Sequence, residues 1–310
     1  MSHTTVSPRH LLAVLGGALC IAMAPIFAVW ARQGEGGVGM WDSGFWRLFL
    51  GAVAMGLLFA AQRHRIVPRR GEFRGGYGWL WLPGLAFAGD ILAWHWSFEH
   101  TSVANSTLLA NTSILWVTLF AWRFWGERPT RLFVIGASLA FAGMAALMLS
   151  STTREPPTDG DPVFGDILAL LTSLFYATYQ LLIKRFRREH SAPRLLFWSS
   201  TIGALILFPV AWLGPDPFWP GSLSAWGSLL GLGVLSHACG QGLIAYGLGG
   251  VPASLAAVAL LLQPAATAVL GLILLGQSLV PMQVVGAVIV VGGLFLAIRS
   301  KRRSRARAAM

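Results

Sequence analysis

Charged residues are scarce in this 310-residue chain, at 11% of the total, whereas 55% of the residues are hydrophobic and mean hydropathy is +0.64. Soluble domains are usually about 25% charged, so a soluble enzyme of this size is excluded. Cysteine is also rare. Cys20 and Cys239 both lie in apolar stretches, which excludes a disulfide scaffold and a Cys/His metal cluster.

Motifs for chemistry are missing as well. The sequence has no Walker-type phosphate loop, no GxSxG nucleophile turn and no HExxH zinc motif. We therefore expect no ATP hydrolysis by this chain, no cofactor and no metal. The loops that we assign to the cytoplasm are too short to hold an enzyme domain.

What the chain does have is ten apolar segments, most of them close to the 20 residues that a membrane-spanning helix needs. Barrel strands are half that length and alternate in polarity, so helices are favoured. The sequence thus predicts an all-α integral membrane protein with ten transmembrane helices. The segments are residues 11–31, 44–61, 78–98, 103–124, 132–150, 164–184, 195–213, 226–246, 252–275 and 282–298.

Basic residues lie almost entirely on one side of this arrangement. All but three of the 23, namely Arg32, Arg47 and Arg154, fall at the N-terminus, in the loops after spans 2, 4 and 6, or in the tail. Positive loops stay in the cytoplasm, so both termini are predicted to be cytoplasmic in an inner-membrane protein. The basic tail, residues 301–310, is interpreted as lying near anionic lipid rather than as binding nucleic acid.

The chain repeats itself at an offset of 150 residues. Gly126, Gly136 and Gly143 then align with Gly276, Gly286 and Gly293. Five spans per half is an odd number, so the halves must have opposite orientations, and inverted repeats are typical of secondary transporters. The predicted organisation is a first five-helix repeat at 1–150, a periplasmic linker at 151–163, a second repeat at 164–300, and the tail.

These residues resemble the drug/metabolite transporter superfamily, and within it the EamA-like family. The resemblance is carried by Trp46-Arg47, by Gly126-Glu127-Arg128-Pro129, by Gly276-Gln277 and by the stretch WHWSFEHTSVANSTLLAN at 94–111. It implies a ten-helix exporter of small solutes, since family members include amino acid and drug exporters. Two departures, Ile114 where the family often has proline and Gln277 where glutamate is common, argue against fully symmetric gating.

Asp90 is the only acid deep within a span. A carboxylate there is costly and is a functional candidate, either for a substrate amine or for a proton. Trp94 lies one turn further on the same face and could stack on an aromatic or cationic ligand. The alternatives are a hydrogen-bonded structural aspartate and a packing tryptophan.

Further polar residues at mid-depth come from both halves, and together with Asp90 and Trp94 they predict a substrate-binding lining. They are Asn111, Tyr176, Gln180, His237 and Gln241. Each one alone could instead be a hydrogen bond between helices, which contributes about 0.6 kcal/mol in lipid. For His237, titration near neutral pH and a structural hydrogen bond to a backbone carbonyl both stay open.

Prolines mark candidate gates. Gln263-Pro264 in span 9 and Pro25 in span 1 are predicted hinges, because proline removes a backbone hydrogen bond. Arg47 is interpreted as structural, either reaching to the periplasmic surface or pairing with Asp42 or Glu35. Glu127 is expected to pair with a loop arginine.

The sequence therefore predicts a secondary transporter that exports small metabolites such as amino acids by alternating access. The alternatives are a drug or nucleoside/purine exporter of the same fold, or an integral-membrane enzyme that acts on lipid or isoprenoid substrates. The expected partners are the lipid bilayer and a small-molecule substrate, with no nucleic acid. Proton coupling against facilitated transport, and monomer against homodimer, stay open.

Overall fold

The computed structural model describes residues 7–33, 36–62, 79–150 and 160–308, with side chains up to residue 300. Within these ranges the chain is helical and contains no strand. The elements of the first half are α1 Pro8–Ala22, α2 Ala24–Arg32, α3 Met40–Gln62, α4 Leu82–Ser97, α5 Val103–Ala110, α6 Ser113–Trp125 and α7 Arg131–Leu149. Those of the second half are α8 Pro162–Phe186, α9 Ala192–Trp212, α10 Leu223–Leu230, a π-helical segment Gly231–Gln241, α11 Gly242–Leu248, α12 Ala253–Leu260, α13 Leu262–Leu275 and α14 Pro281–Ala308.

Several of these elements continue one another as single membrane-crossing stretches. In the described part of the chain, nine stretches of 19 to 26 residues are long and apolar enough to cross a bilayer. The predicted multi-pass helical membrane protein is therefore confirmed. The remaining predicted span, 78–98, is the 16-residue helix α4. Most of the predicted linker, 151–159, lies outside the described residues, and α14 continues through the last span into the tail as far as Ala308.

Three spans are interrupted near their middle. The first breaks at Met23 and the ninth at Leu261, shortly before Pro25 and Pro264, whose missing N–H groups weaken the helix. The fourth breaks at Asn111–Thr112 without a proline.

At this third break, side chains compete with the backbone for carbonyl groups. The Asn111 amide donates to the Thr107 carbonyl at 2.8 Å, and the Thr112 hydroxyl donates to the Leu109 carbonyl at 2.6 Å. The break lies 150 residues before the one at Leu261. The counterpart of the proline break is therefore present although Ile114 stands where the family often has proline.

The repeat is visible in the backbone. Helices α5, α6 and α7 begin at residues 103, 113 and 131, and α12, α13 and α14 begin at 253, 262 and 281. Gly126 and Gly276 end α6 and α13 with positive φ angles of 66° and 65°, a left-handed conformation that favours glycine. The helices of the fourth and fifth spans of the two halves thus begin at equivalent positions to within one residue.

Helices α7 and α14 pack against each other through four glycines. A Cβ atom on Gly143 would lie 2.6 Å from the Gly286 carbonyl oxygen, and one on Gly293 would lie 2.6 Å from the Gly136 oxygen. Small residues let membrane helices approach this closely. Gly136, the earlier glycine of α7, contacts Gly293, the later glycine of α14, and Gly143 contacts Gly286. Helices α7 and α14 are therefore antiparallel.

The other helices surround the centre of the molecule. Helix α3 packs on α9, and α4 packs on both α8 and α9. The π-helical segment contacts α1 and α3. Trp46 fixes the position of α3 next to the loop before α10, because its indole N–H donates to the Phe218 carbonyl at 2.9 Å. Arg47 follows directly and lies about two turns inside α3.

Candidate binding site

Two ionisable side chains lie near each other inside the helix bundle. Arg47 of α3 and Asp90 of α4 interact electrostatically. Among the described residues neither takes part in an ion pair within 4.0 Å. The Nε atom of Arg47 is buried without a hydrogen-bond partner. An arginine and an aspartate that lie near each other without forming an ion pair can each bind an oppositely charged group of a ligand placed between them.

Tyr176 of α8 connects this pair to the second half of the chain. Tyr176 lies near both Asp90 and Arg47, and its hydroxyl lies near the side chains of Gln241 and Gln263. The Gln241 Oε1 and Gln263 Nε2 atoms have no hydrogen-bond partner. The site thus joins α3, α4, α8, the π-helical segment and α13. We call Arg47, Asp90, Tyr176, Gln241 and Gln263 the central cluster.

The side chains of the central cluster are not fully enclosed. Arg47, Tyr176 and Gln263 are each half-buried although they lie well inside their membrane-spanning stretches, and so is Asp90 in the middle of α4. They interact with one another and so face the interior of the bundle. Their exposed parts therefore line an internal space rather than the lipid.

Aromatic rings border the central cluster. Tyr179 stacks on Tyr176 at 6.2 Å and on Phe87 at 4.6 Å between ring centroids. Trp94, one turn beyond Asp90, is half-buried; its ring meets Phe98 edge-on at 4.8 Å, and its indole N–H has no partner. Trp94 therefore keeps a polar atom without a partner one turn from Asp90.

Three predicted lining residues are placed differently. His237 has 0% of its surface exposed, its Nε2 lies 2.8 Å from the Ser200 hydroxyl, and its ring stacks on Phe87. Its partner is thus a hydroxyl rather than the backbone carbonyl considered above. Gln180 is buried with its Oε1 unpartnered. Asn111 bonds within its own helix break. His237 lies near Arg47 of the central cluster, but none of its surface is exposed.

Arg47 is the member of the cluster that sequence reasoning missed. Its charge acts on Asp90 inside the bundle, and it forms no ion pair with Asp42, whose Oδ1 is buried and unpartnered. Glu35 lies outside the described residues. The available signal was that Arg47 is the one basic residue inside a predicted span on the side away from the basic loops, and a charge within a span is a functional candidate.

The predicted hinge residues lie beside breaks. Pro264 is buried and Gln263 is half-buried in α13, where Gln263 belongs to the central cluster. Pro25 is exposed on α2, two residues after the break at Met23. Of the proline sites, only the one in span 9 joins a helix break directly to the central cluster.

A second cluster lies at one end of the bundle. Glu127, in the turn after α6, accepts hydrogen bonds from Ala253 N at 3.0 Å, Ser254 N at 3.3 Å and Ser254 Oγ at 3.0 Å. Its Oε1 lies 3.5 Å from the Nζ atom of Lys184, which also donates to the Val251 carbonyl at 2.6 Å. Glu127 thus pairs with Lys184 rather than with the expected loop arginine.

In the described part of the chain, no group of three His, Cys, Asp or Glu side chains could hold a metal ion.

Comparison with known families decides what kind of protein carries these clusters. The model of the EamA-like transporter family matches residues 9–149 and again residues 163–299. The chain belongs to the EamA-like transporter family. It is similar to an uncharacterized transporter of Archaeoglobus fulgidus, at 27% identity over 71% of this chain and 76% of that protein.

Two other relatives are also named as transporters. The pseudopaline exporter CntI of Pseudomonas aeruginosa is 26% identical over 53% of this chain and 55% of its own length. The uncharacterized transporter YwfM of Bacillus subtilis is 26% identical over 84% of this chain and 85% of its own. The EamA-like family and these relatives are transporters, so the enzyme alternative is set aside.

The fold has a counterpart among solved structures. A crystal structure of a protein superposes with a TM-score of 0.79 and 17% identity, covering 95% of this chain and 98% of that one. At this identity the likeness shows the fold alone.

Proposed function

We propose that this EamA-like transporter exports small zwitterionic metabolites, amino acids foremost, from the cytoplasm across the inner membrane. Transport proceeds by alternating access between two inverted five-helix halves, with α4 as the third of ten spans and both termini in the cytoplasm. The single observation that carries this proposal is the convergence of Arg47 and Asp90 with polar side chains of the second half. A binding site between two halves is what alternating access requires.

The inverted arrangement is supported by the glycine contacts of α7 and α14. At the 150-residue offset, Gly136 corresponds to Gly286 and Gly143 to Gly293. The contact between Gly136 and Gly293 then becomes the contact between Gly286 and Gly143, and both contacts exist. Such an exchange within an antiparallel pair of equivalent helices is what a two-fold axis between the halves produces.

The charges of the central cluster favour a zwitterion over a neutral drug or purine. A guanidinium binds a carboxylate through paired, charge-assisted hydrogen bonds, and a carboxylate binds an ammonium group. An uncompensated charge at mid-membrane is costly. A ligand that supplies both opposite charges lowers that cost at Arg47 and at Asp90 together, which a neutral solute cannot do.

The breaks at Asn111 and Leu261 are the proposed hinges, assisted by Pro25, Gln263 and Pro264. Each break leaves backbone groups without the regular helical pairing. Because Gln263 is both next to a helix break and in the central cluster, a substrate that contacts Gln263 would also affect the conformation of the hinge.

The proposal is tested by uptake and counterflow in proteoliposomes, with and without a pH gradient. Expected substrates are amino acids, and the matched probes are their decarboxylated amines, their deaminated acids and a panel of nucleosides and purines. Saturable counterflow of amino acids, with weaker transport of both single-charge analogues, supports the proposal. Transport of purines or neutral drugs with no counterflow of any amino acid contradicts it.

A further inference from the structure

The two ends of this protein differ in how tightly they are closed, and Glu127 lies at the closed end. From this asymmetry we propose that Glu127 and Lys184 form an ionic latch that closes the end assigned to the cytoplasm. On this proposal the structure is the outward-open conformation. The inference rests on the alternating access proposed above but not on the identity of the substrate.

The latch joins three segments that are distant in sequence. Glu127 ends the fourth span of the first half, Lys184 is in the last two turns of α8, and Ala253 begins α12 in the second half. Helix α12 has no cap of its own, because Pro252 at its N-cap position makes no side-chain hydrogen bond. The Glu127 carboxylate supplies that cap with hydrogen bonds to two backbone N–H groups.

The contact is protected from water. The exposed fraction of the Lys184 side chain is 9%, and that of Glu127 is 10%. The Nζ atom of Lys184 also lies 5.9 Å from the ring centroid of Trp125. A pair that is this well desolvated is screened little by salt, and separating its members exposes two charges and an uncapped helix end at once.

The equivalent position in the other half makes no such contact. Gln277 corresponds to Glu127, and its side chain folds back towards its own helix, with its Oε1 2.7 Å from where a Cβ of Gly271 would lie. Gln277 is exposed. Helix α5, the counterpart of α12, is capped by its own Ser102, whose hydroxyl accepts from Asn105 N at 3.2 Å.

Burial shows the same asymmetry along both helices. Every residue of α12 is buried, whereas of α5 only Ala104 and Ser106 are. At the first position, Ala253 is 0% exposed and its counterpart Val103 is 51% exposed. Helix α12 packs on α6 and α8, so the latched end is sealed. At the end where α5 begins, Asn105 hydrogen-bonds to Asp166 of α8, but Val103 stays exposed.

The latch is tested by the accessibility of matched cysteines from each side of the membrane. Leu108→Cys on α5 and Val258→Cys on α12 are equivalent positions, placed singly in a chain with Cys20→Ser and Cys239→Ser. A membrane-impermeant thiol reagent is applied from outside or inside in oriented vesicles. We expect the wild-type background to react at position 108 from outside and only slowly at position 258 from inside.

Glu127→Gln should shift this balance. Its amide cannot pair with Lys184, so the rate at position 258 from the cytoplasmic side should rise about tenfold and the rate at position 108 should fall. The matched control is Glu189→Gln, which breaks an exposed pair with Arg185 at the same end of the molecule and should change neither rate. Unchanged rates in a folded Glu127→Gln protein overturn the latch.

A milder variant keeps the test decisive if Glu127→Gln does not fold. Ser254→Ala removes only the hydroxyl that donates to Glu127 and should shift both rates in the same directions by a smaller factor. Rates equal to those of the background would refute the latch. These measurements need no substrate, so a failure of the amino acid proposal in proteoliposomes is distinguishable from a failure of the latch.

Discussion

Arg47 and Asp90 are the residues on which the proposed chemistry depends, because each brings an ionisable group to the interior of the bundle without an ion-pair partner within 4.0 Å. Their interaction with each other offsets part of the desolvation cost of both. The polar atoms left without partners around them, on Gln241 and Gln263, are the donors and acceptors that a bound solute would satisfy. A purely structural cluster would instead be expected to pair these atoms internally.

Asp90→Asn keeps the size of the side chain and removes its charge. If Asp90 binds the substrate amine, amino acid counterflow and pH-driven uptake should both fall by about tenfold or more, since charge-assisted hydrogen bonds contribute about 1.5–3 kcal/mol. The melting temperature should change little, because asparagine can still form hydrogen bonds. Loss of pH-driven uptake alone would instead assign a proton-carrying role, and wild-type values in both assays would rule out both roles.

Arg47→Gln should give the complementary change in specificity. Counterflow of amino acids should fall by about tenfold, while the decarboxylated amine should lose much less, because it has no carboxylate for the guanidinium to bind. Asp90→Asn should affect the two analogues in the opposite order. Equal losses of counterflow for the amine and the amino acid in the Arg47 variant would show that Arg47 stabilises the helix bundle rather than binding the substrate carboxylate.

At the scale of the elements, close packing and helix breaks have different causes and should respond differently to mutation. The contact of α7 with α14 depends on the absence of side chains at four positions, so it cannot adjust to added volume. The break in span 4 depends on Asn111 and Thr112 hydrogen-bonding to carbonyls of the preceding turn. The first is a rigid support, and the second is a place where the span can bend.

Gly293→Ala tests the rigid support. Its new methyl group would lie 2.4 Å from Ala140 N, and overpacking of this kind costs about 1–3 kcal/mol. The neighbouring Gly292 is the matched control, because nothing lies within 4 Å of a Cβ placed there. Thermal melting in detergent should show a clear drop for Gly293→Ala and none for Gly292→Ala. Equal melting temperatures would mean that α7 and α14 are not held at this distance.

The distribution of charge predicts the orientation of the whole molecule in the membrane. Nearly all basic residues follow even-numbered spans or lie in the terminal segments, so both ends of the chain should be inside. The same orientation places Glu127 and Lys184 at the cytoplasmic end and Gln277 at the outer end. The proposed latch would then close the side from which an exported substrate enters.

Reporter fusions at the C-terminus measure this direction. Alkaline phosphatase fused there should be inactive, because that reporter works only outside the cytoplasm, and a green fluorescent protein fusion should be bright. The matched control places the phosphatase after residue 150, in the predicted outer linker, where it should be active. An active C-terminal phosphatase would contradict the assigned orientation and would reverse the direction in which the latch closes.

What the sequence by itself determined were the features that depend on local composition. Apolar length set the spanning helices to within a few residues, Gly126 and Gly276 marked helix ends, and the glycine offset indicated the repeat. Asp90, Tyr176 and Gln241 could be predicted as candidates for a site because a polar group deep in an apolar helix is unusual wherever it points.

Only the tertiary structure decided which of these groups meet. The direction of Arg47 depends on helices packed around α3, and the placement of His237 depends on Ser200 of a different helix. The helix break at Asn111 could not be predicted from a proline, because span 4 has none there. The contact of Glu127 with α12 spans 126 residues. Hydrogen bonds and ion pairs act over a few ångströms. Whether two side chains come that close depends on how the helices pack, and no single stretch of sequence contains that information.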